Sequence, residues 1–279
     1  MNRRRYLLSL AIALVFAVVW AVNAQAQLRT PPFHLRTQVV EYQHGNTTLE
    51  GYLAYNDAIR SKRPAVLVVH EWTGLGPYVR RRTEQLAKMG YVAFAADMYG
   101  KGIRPKNPKE AAAQAQIYRS NRQLMRTRIK AGLAQLQQQQ LTDSKRIAAI
   151  GYCFGGTTVL ELARSGANVS GVVSFHGGLD TPNPNDAKNI KSKVLVLHGA
   201  DDPLVPTPQV LAFQDEMRQA GVDWQLVSYG GTVHSFTNPD SGNDPAEGVA
   251  YNAQSDRQSL AAMKLFFAEI FNLKSGHTA

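Results

Sequence analysis

Cysteine is nearly missing from this sequence. Cys153 is the single thiol in 279 residues, so no internal disulfide can form and no multi-cysteine metal site can be built. No cluster of cysteines and histidines points to a metal, and nothing points to an organic cofactor. Internal repeats and Pro/Ser-rich linkers are also lacking. The one low-complexity tract, the glutamine run 137–140, reads as the solvated end of a helix. With nothing to divide the chain, 44% hydrophobic and 19% charged content describe one sizeable core.

Charge of one sign is in modest excess. Of the formal +10, three charges belong to Arg3, Arg4 and Arg5; without them 28 basic residues face 21 acidic ones, or +7. The densest remaining cluster, Arg80-Arg81-Arg82, opens an expected helix and reads as a solvated face, so nucleic acid is not expected as a partner. The three leading arginines precede an uncharged apolar stretch, 6–22, and then Ala24-Gln25-Ala26. That layout is a secretory signal peptide over residues 1–26, with residues 27–279 as the mature domain, exported to the periplasm or beyond. An uncleaved membrane anchor is the competing reading of the same stretch. An exported protein ordinarily pairs its thiols, which makes the lone Cys153 informative.

Short Val/Ile-rich runs alternate with longer helical patterns, the mark of a mostly parallel sheet with helices on both faces. Strands are expected at 47–55, 65–70, 91–95, 147–151, 171–175, 194–198 and 224–229. A helix should start at Asn107 as cap, Pro108 and Glu110. The last helix, about 252–272, carries Leu260, Met263, Phe267 and Ile270 on one stripe that should pack on the sheet.

Cys153 lies in Gly151-Tyr152-Cys153-Phe154-Gly155-Gly156, between the apolar run 147–150 and a helical pattern. A nucleophile at such a strand-to-helix turn is held in a strained conformation, and glycines two before and two after it relieve crowding. The helix N-terminus behind it stabilises a thiolate and the oxyanion made when that thiolate attacks a carbonyl.

A thiol nucleophile needs a base and the base an orienting acid, in the chain order nucleophile, acid, base. Asp202, in Gly199-Ala200-Asp201-Asp202-Pro203-Leu204-Val205-Pro206, is the acid preferred over Asp201, which is left to cap the turn. His234, in Gly230-Gly231-Thr232-Val233-His234-Ser235-Phe236, is the base. His34, His44 and His277 lie outside the core; His198 reads as a satisfied core histidine; His176 is placed to line the pocket without moving a proton. The loop His70-Glu71-Trp72-Thr73-Gly74 follows an expected strand, so the backbone N–H groups of Trp72 and Phe154 form the expected oxyanion hole. Glu71 beside it is positioned to modulate thiol ionisation.

The motifs H-E-W-T-G-L, G-Y-C-F-G-G, H-G-A-D-D-P-L-V-P and G-T-V-H-S-F, over roughly residues 47–271, together resemble the dienelactone hydrolase family of the α/β-hydrolase fold. The resemblance implies a Cys153, Asp202, His234 triad with Glu71 as partner of the thiol, no cofactor, and a small acyl substrate. Its dienelactone-specific members bind the substrate carboxylate through two arginines, one in the helix after the fourth strand and one shortly after the histidine. Gln114 and Asn238 stand in those places, with Arg119 and Arg122 nearby on what reads as the same helix. The expected activity is cysteine-dependent hydrolysis of esters or lactones. The alternatives are a non-catalytic or thiol-reactive binding protein on the same fold, and a thioester or peptide hydrolase.

Overall fold

The computed structural model describes residues 33–273. The expected leader lies outside them, as does His277. The chain divides into residues 1–34 and a unit running from Leu35 to Ala279, and the second unit holds the sheet and the helices of the described residues.

Eight strands form one sheet: β1 (Leu35–His44), β2 (Thr47–Asn56), β3 (Arg63–Val69), β4 (Val92–Ala96), β5 (Thr142–Tyr152), β6 (Gly171–Phe175), β7 (Lys193–Gly199) and β8 (Trp224–Tyr229). Their order is β1-β2-β4-β3-β5-β6-β7-β8. β2 runs antiparallel to both β1 and β4, and every other pairing is parallel. This is the expected α/β-hydrolase architecture, and the seven expected strands are all present. β1 is an addition to them. It is an edge strand whose only buried residue is Tyr42, so it carries no clear inward-facing pattern; the legible sign was the two-residue turn Gly45-Asn46.

Among the described residues, six α-helices cover the sheet: α1 (Pro77–Lys88), α2 (Pro108–Arg119), α3 (Arg122–Gln137), α4 (Phe154–Arg164), α5 (Thr207–Ala220) and α6 (Ala253–Ile270). The strands are buried on both faces because side chains alternate across them. In β3, Ala65, Leu67 and Val69 join the core beneath α2 to α5, whereas Val66 and Val68 face the core beneath α1 and α6. The stripe expected on α6 packs there, with Met263 and Phe267 buried and Leu260 and Ile270 partly so, joined by Phe266.

Local signals account for the helix starts. The Asn107 side chain accepts from the Glu110 N–H at 2.9 Å, with Pro108 at the first helical position. The expected continuous helix through Arg119 and Arg122 is broken, however. Asn121 caps a new helix by accepting from the Leu124 N–H, so the two arginines lie on different helices. The glutamine run does follow the end of α3, with Gln137, Gln138 and Gln140 exposed.

The arginine triplet is not the solvated face expected of it. Arg81 is exposed, but the Arg82 side chain is only 11% accessible; it lies over the Tyr78 and Tyr152 rings and pairs with Asp256 at 2.6 Å. Like neighbouring positions of any helix, the three point in different directions, so an unbroken run of arginines does not make one face.

Candidate active site

The C-terminal ends of β3, β5, β6, β7 and β8 converge, which is where parallel sheets place their ligands. Each delivers one functional segment. Cys153 follows β5 directly and has φ 53° and ψ −113°, a region that costs an L-residue on the order of 1–3 kcal/mol. His176 after β6 and Ser235 beside His234 also have positive φ, at 40° and 59°. Two glycines make the elbow possible. A Cβ on Gly151 would meet the Gly155 carbonyl oxygen at 2.0 Å, and one on Gly155 would meet the Val69 carbonyl oxygen at 2.3 Å. The close approach of strand and helix expected from their spacing is present.

The structure brings together the two residues expected to serve as acid and base. His234 Nδ1 lies 2.7 Å from Asp202 Oδ2, and both residues are buried. Asp202 Oδ1 accepts from the Leu204 N–H at 2.8 Å, so the turn is capped by Asp202 itself, while Asp201 is exposed. The Asp201 N–H donates to the Thr232 carbonyl, tying the acid loop to the base loop. The backbone of His234 is gripped on both sides by residues 248–250.

Burial by itself pushes the His234 imidazole down. The charge on Cys153 and the hydrogen bond to Asp202 outweigh it and lift the group to about 10. With Asp202 on Nδ1, the ring's Nε2 is buried and has no other hydrogen-bond partner.

The loop expected to form the oxyanion hole is oriented by His70, the first residue of the H-E-W-T-G-L motif, to which the sequence pattern assigns no role. His70 is fully buried; its Nε2 accepts from the Met98 N–H, which leaves Nδ1–H to donate to the Glu71 carbonyl at 2.6 Å. Burial keeps this ring neutral by pushing it down to about 4. The Glu71 carbonyl also accepts from Gly74 N–H, and the Trp72 carbonyl accepts from the Tyr99 hydroxyl at 2.8 Å. In a trans peptide the N–H points opposite the carbonyl, so fixing the Glu71 carbonyl fixes the direction of the Trp72 N–H. Phe154 is the first residue of α4, and its N–H has no acceptor within the helix.

Glu71 is buried beside His234, but its hydrogen bonds go to the base loop. Ser235 Oγ donates to one carboxylate oxygen and Asn238 Nδ2 to the other, each at 2.8 Å. Burial raises this carboxyl above the usual range, and the two hydrogen bonds oppose the rise.

Two histidine readings need correction. His198 is buried, yet its Nδ1 has no hydrogen-bond partner, so it is not a satisfied core residue. His176 does not line the pocket; it is 1% exposed and sits behind Cys153 and His234. Sequence reveals that a residue follows a strand, but not to which side it turns.

A cavity of about 940 Å³ opens over Cys153 and His234, walled by Trp72, Val205, Arg119 and Arg122 among others. Gln114 is not part of its wall, while Asn238 is. Arg122 pairs with Asp180 at 2.7 Å. No group of three or more His, Cys, Asp or Glu able to hold a metal occurs among the described residues.

A parallel sheet with an elbow cysteine, a hydrogen-bonded His–Asp pair and a fixed loop at the same edge defines the α/β-hydrolase class. Within that class, the family model "Dienelactone hydrolase family" matches residues 49–271, and the chain belongs to that family of ester and lactone hydrolases. A protein of Aquifex aeolicus (strain VF5), named as a carboxymethylenebutenolidase, is 29% identical over 206 residues, covering 72% of this chain and 87% of its own. Protein usf of Aquifex pyrophilus is 28% identical over the same length, with the same coverage. Among solved structures, a dienelactone hydrolase-like promiscuous phosphotriesterase from metagenomic libraries superposes with a TM-score of 0.81. It is 40% identical and covers 85% of this chain and 98% of its own.

Proposed function

We propose that this protein hydrolyses esters or lactones with Cys153 as nucleophile. The observation that carries the reading is the His234–Asp202 hydrogen bond of 2.7 Å beside a cysteine held at φ 53° on a helix N-terminus. The thiolate sulfur forms a bond to the acyl carbon, and the carbonyl electron pair moves to oxygen, where the Phe154 and Trp72 N–H groups receive it. Collapse of this intermediate breaks the acyl–oxygen bond, and the His234 imidazolium gives its proton to the departing alkoxide. The product is a thioester at Cys153. Neutral His234 then takes a proton from water, which attacks the thioester carbon; the carbon–sulfur bond breaks, releasing the acid and restoring the thiolate and the imidazolium. Asp202 holds the tautomer and orientation of the ring throughout.

Gln114 and Asn238 do not form the family's arginine clamp, and Asn238 is already engaged with Glu71. Esters and lactones are the proposed substrates, and export to the periplasm the proposed location. In hydrolysis of a small aryl ester, Cys153→Ala and His234→Ala are each expected to lower turnover by at least about 10³-fold; wild-type rates in both would sink the proposal. Glu71 is proposed to modulate the thiol through His234. Glu71→Gln should then shift the pH profile of Cys153 alkylation by iodoacetamide, and superimposable profiles would remove it from this role.

A further inference from the structure

Behind the proposed nucleophile and base lies a buried polar chain that the reaction does not consume. The His176 side chain touches both catalytic segments. Its Nδ1 accepts from the Cys153 N–H at 3.2 Å, a proton that Cys153 shares with the Phe175 carbonyl. An acceptor at Nδ1 places the ring proton on Nε2, which donates to Thr237 Oγ1 at 2.7 Å. Thr237 lies three residues after His234 on the same loop and is fully buried. One imidazole thus bridges the backbone of the nucleophile and the loop of the base.

The far end of the chain is anchored. Thr237 Oγ1 meets the Tyr78 hydroxyl at 2.7 Å, and Arg82 Nε donates to that hydroxyl at 3.2 Å. Arg82 also donates to the Thr237 carbonyl and pairs with Asp256. Helices α1 and α6 therefore brace the loop from outside the sheet. On the near side, the His176 ring packs edge-on against the His234 ring, with centroids 5.4 Å apart and planes at 67°. Burial, and then the charges on His234 and Arg82, keep the His176 ring neutral, well below the usual histidine range. A charged ring in this place would repel the His234 imidazolium.

We infer that His176, with Thr237, is a positioning pair that sets the separation and orientation of Cys153 and His234. The inference rests on the proposed nucleophile and base. It assigns to His176 the acceptor that steadies the strained Cys153 backbone, the donor that holds the His234 loop, and the wall that limits rotation of the His234 ring. His176 itself carries φ 40°, a strain that its two hydrogen bonds offset.

Cutting the strut at either end should lower the chemical step without touching substrate binding, because neither residue lines the cavity. The test is steady-state kinetics on a small aryl ester with wild type, Thr237→Val, Thr237→Ser, His176→Phe and Cys153→Ala. Thr237→Val keeps shape and loses the acceptor; a misplacement near 1 Å then costs roughly 10- to 100-fold in kcat, with KM within about twofold. Thr237→Ser restores the acceptor and should regain more than half of the wild-type kcat. His176→Phe keeps an aromatic wall but removes both hydrogen bonds, and should lose at least as much as Thr237→Val. The inference is overturned if Thr237→Val retains wild-type kcat, if Thr237→Ser is equally impaired, or if KM rises in place of a fall in kcat. Should His176→Phe fail to fold, the two Thr237 variants decide alone. Full activity in Cys153→Ala would instead remove the nucleophile on which the strut depends.

Discussion

The two ends of α4 are both buried and both polar, yet they are built in opposite ways. At the N-terminal end, Cys153 is held at positive φ, His234 Nε2 is buried with no hydrogen-bond partner, and a cavity opens above them. At the C-terminal end, Arg164 is fully buried and fully engaged. Its Nε and one terminal nitrogen form a fork on Glu216 at 2.8 and 2.7 Å, its other nitrogen meets Glu161 at 3.0 Å, and the Leu179 carbonyl accepts a further bond. Glu161 in turn accepts from Arg126, which also reaches Asp186. The positive residue sits at the negative end of the helix dipole and Cys153 at its positive end. Strain and an open valence mark the end suited to chemistry, and completed hydrogen bonding marks the end that holds α3, α4 and α5 together.

This contrast can be broken at either end. The largest expected effect on activity within the His–Asp pair is from Asp202→Asn, whose amide N–H would donate to His234 Nδ1 and so place the ring proton on Nε2, the wrong tautomer for a base. Its kcat on an aryl ester should fall on the order of 10³-fold or more, with a melting temperature near that of wild type. A loss below tenfold would mean that Asp202 does not orient the base.

At the other end, Arg164→Met should do the reverse. It leaves Glu216 and Glu161 buried without their shared cation, at a cost of about 3–5 kcal/mol. Denaturant unfolding should report that loss, while turnover per folded molecule changes little. Unchanged stability would show that the cluster adapts and that the two ends are less different than their geometry.

The smallest effect concerns the His234 proton. Its folded value near 10 lies above the ordinary 6.5, so its contribution to stability is complete below about pH 6.5. It is lost as the pH rises through 10. In Cys153→Ser no thiolate faces the ring, and NMR titration should show the His234 pKa falling toward the ordinary range. The decline in stability between these pH values should become shallower as well. A midpoint still near 10 would assign the held proton to Asp202 alone.

Most of the sheet was legible because both faces of its inner strands are buried, so each reads as a short apolar run bounded by turn residues. β1 was not, since an edge strand with one buried side chain leaves almost no hydrophobic signature. The break between α2 and α3 rested on the cap at Asn121, a polar residue indistinguishable in sequence from any exposed one until its side chain is seen to accept from Leu124. Arg82 and His176 were misplaced for a related reason. Both belong to one buried network whose members, Tyr78, Arg82, Cys153, His176, Thr237 and Asp256, are scattered over most of the length of the chain.

By itself the sequence determined the candidate chemistry: a thiol between two glycines at a strand-to-helix turn, an aspartate and a histidine after later strands, and a loop to face them. These are local patterns, set by backbone sterics and by which residue types can attack, take up or hold a proton. Only the tertiary structure decided their company. It tied Glu71 to Ser235 and Asn238, turned His70 to fix the Trp72 peptide, and put His176 between Cys153 and Thr237. Such contacts join segments from separate strands, and their geometry exists only once the sheet has brought its strand ends to one edge.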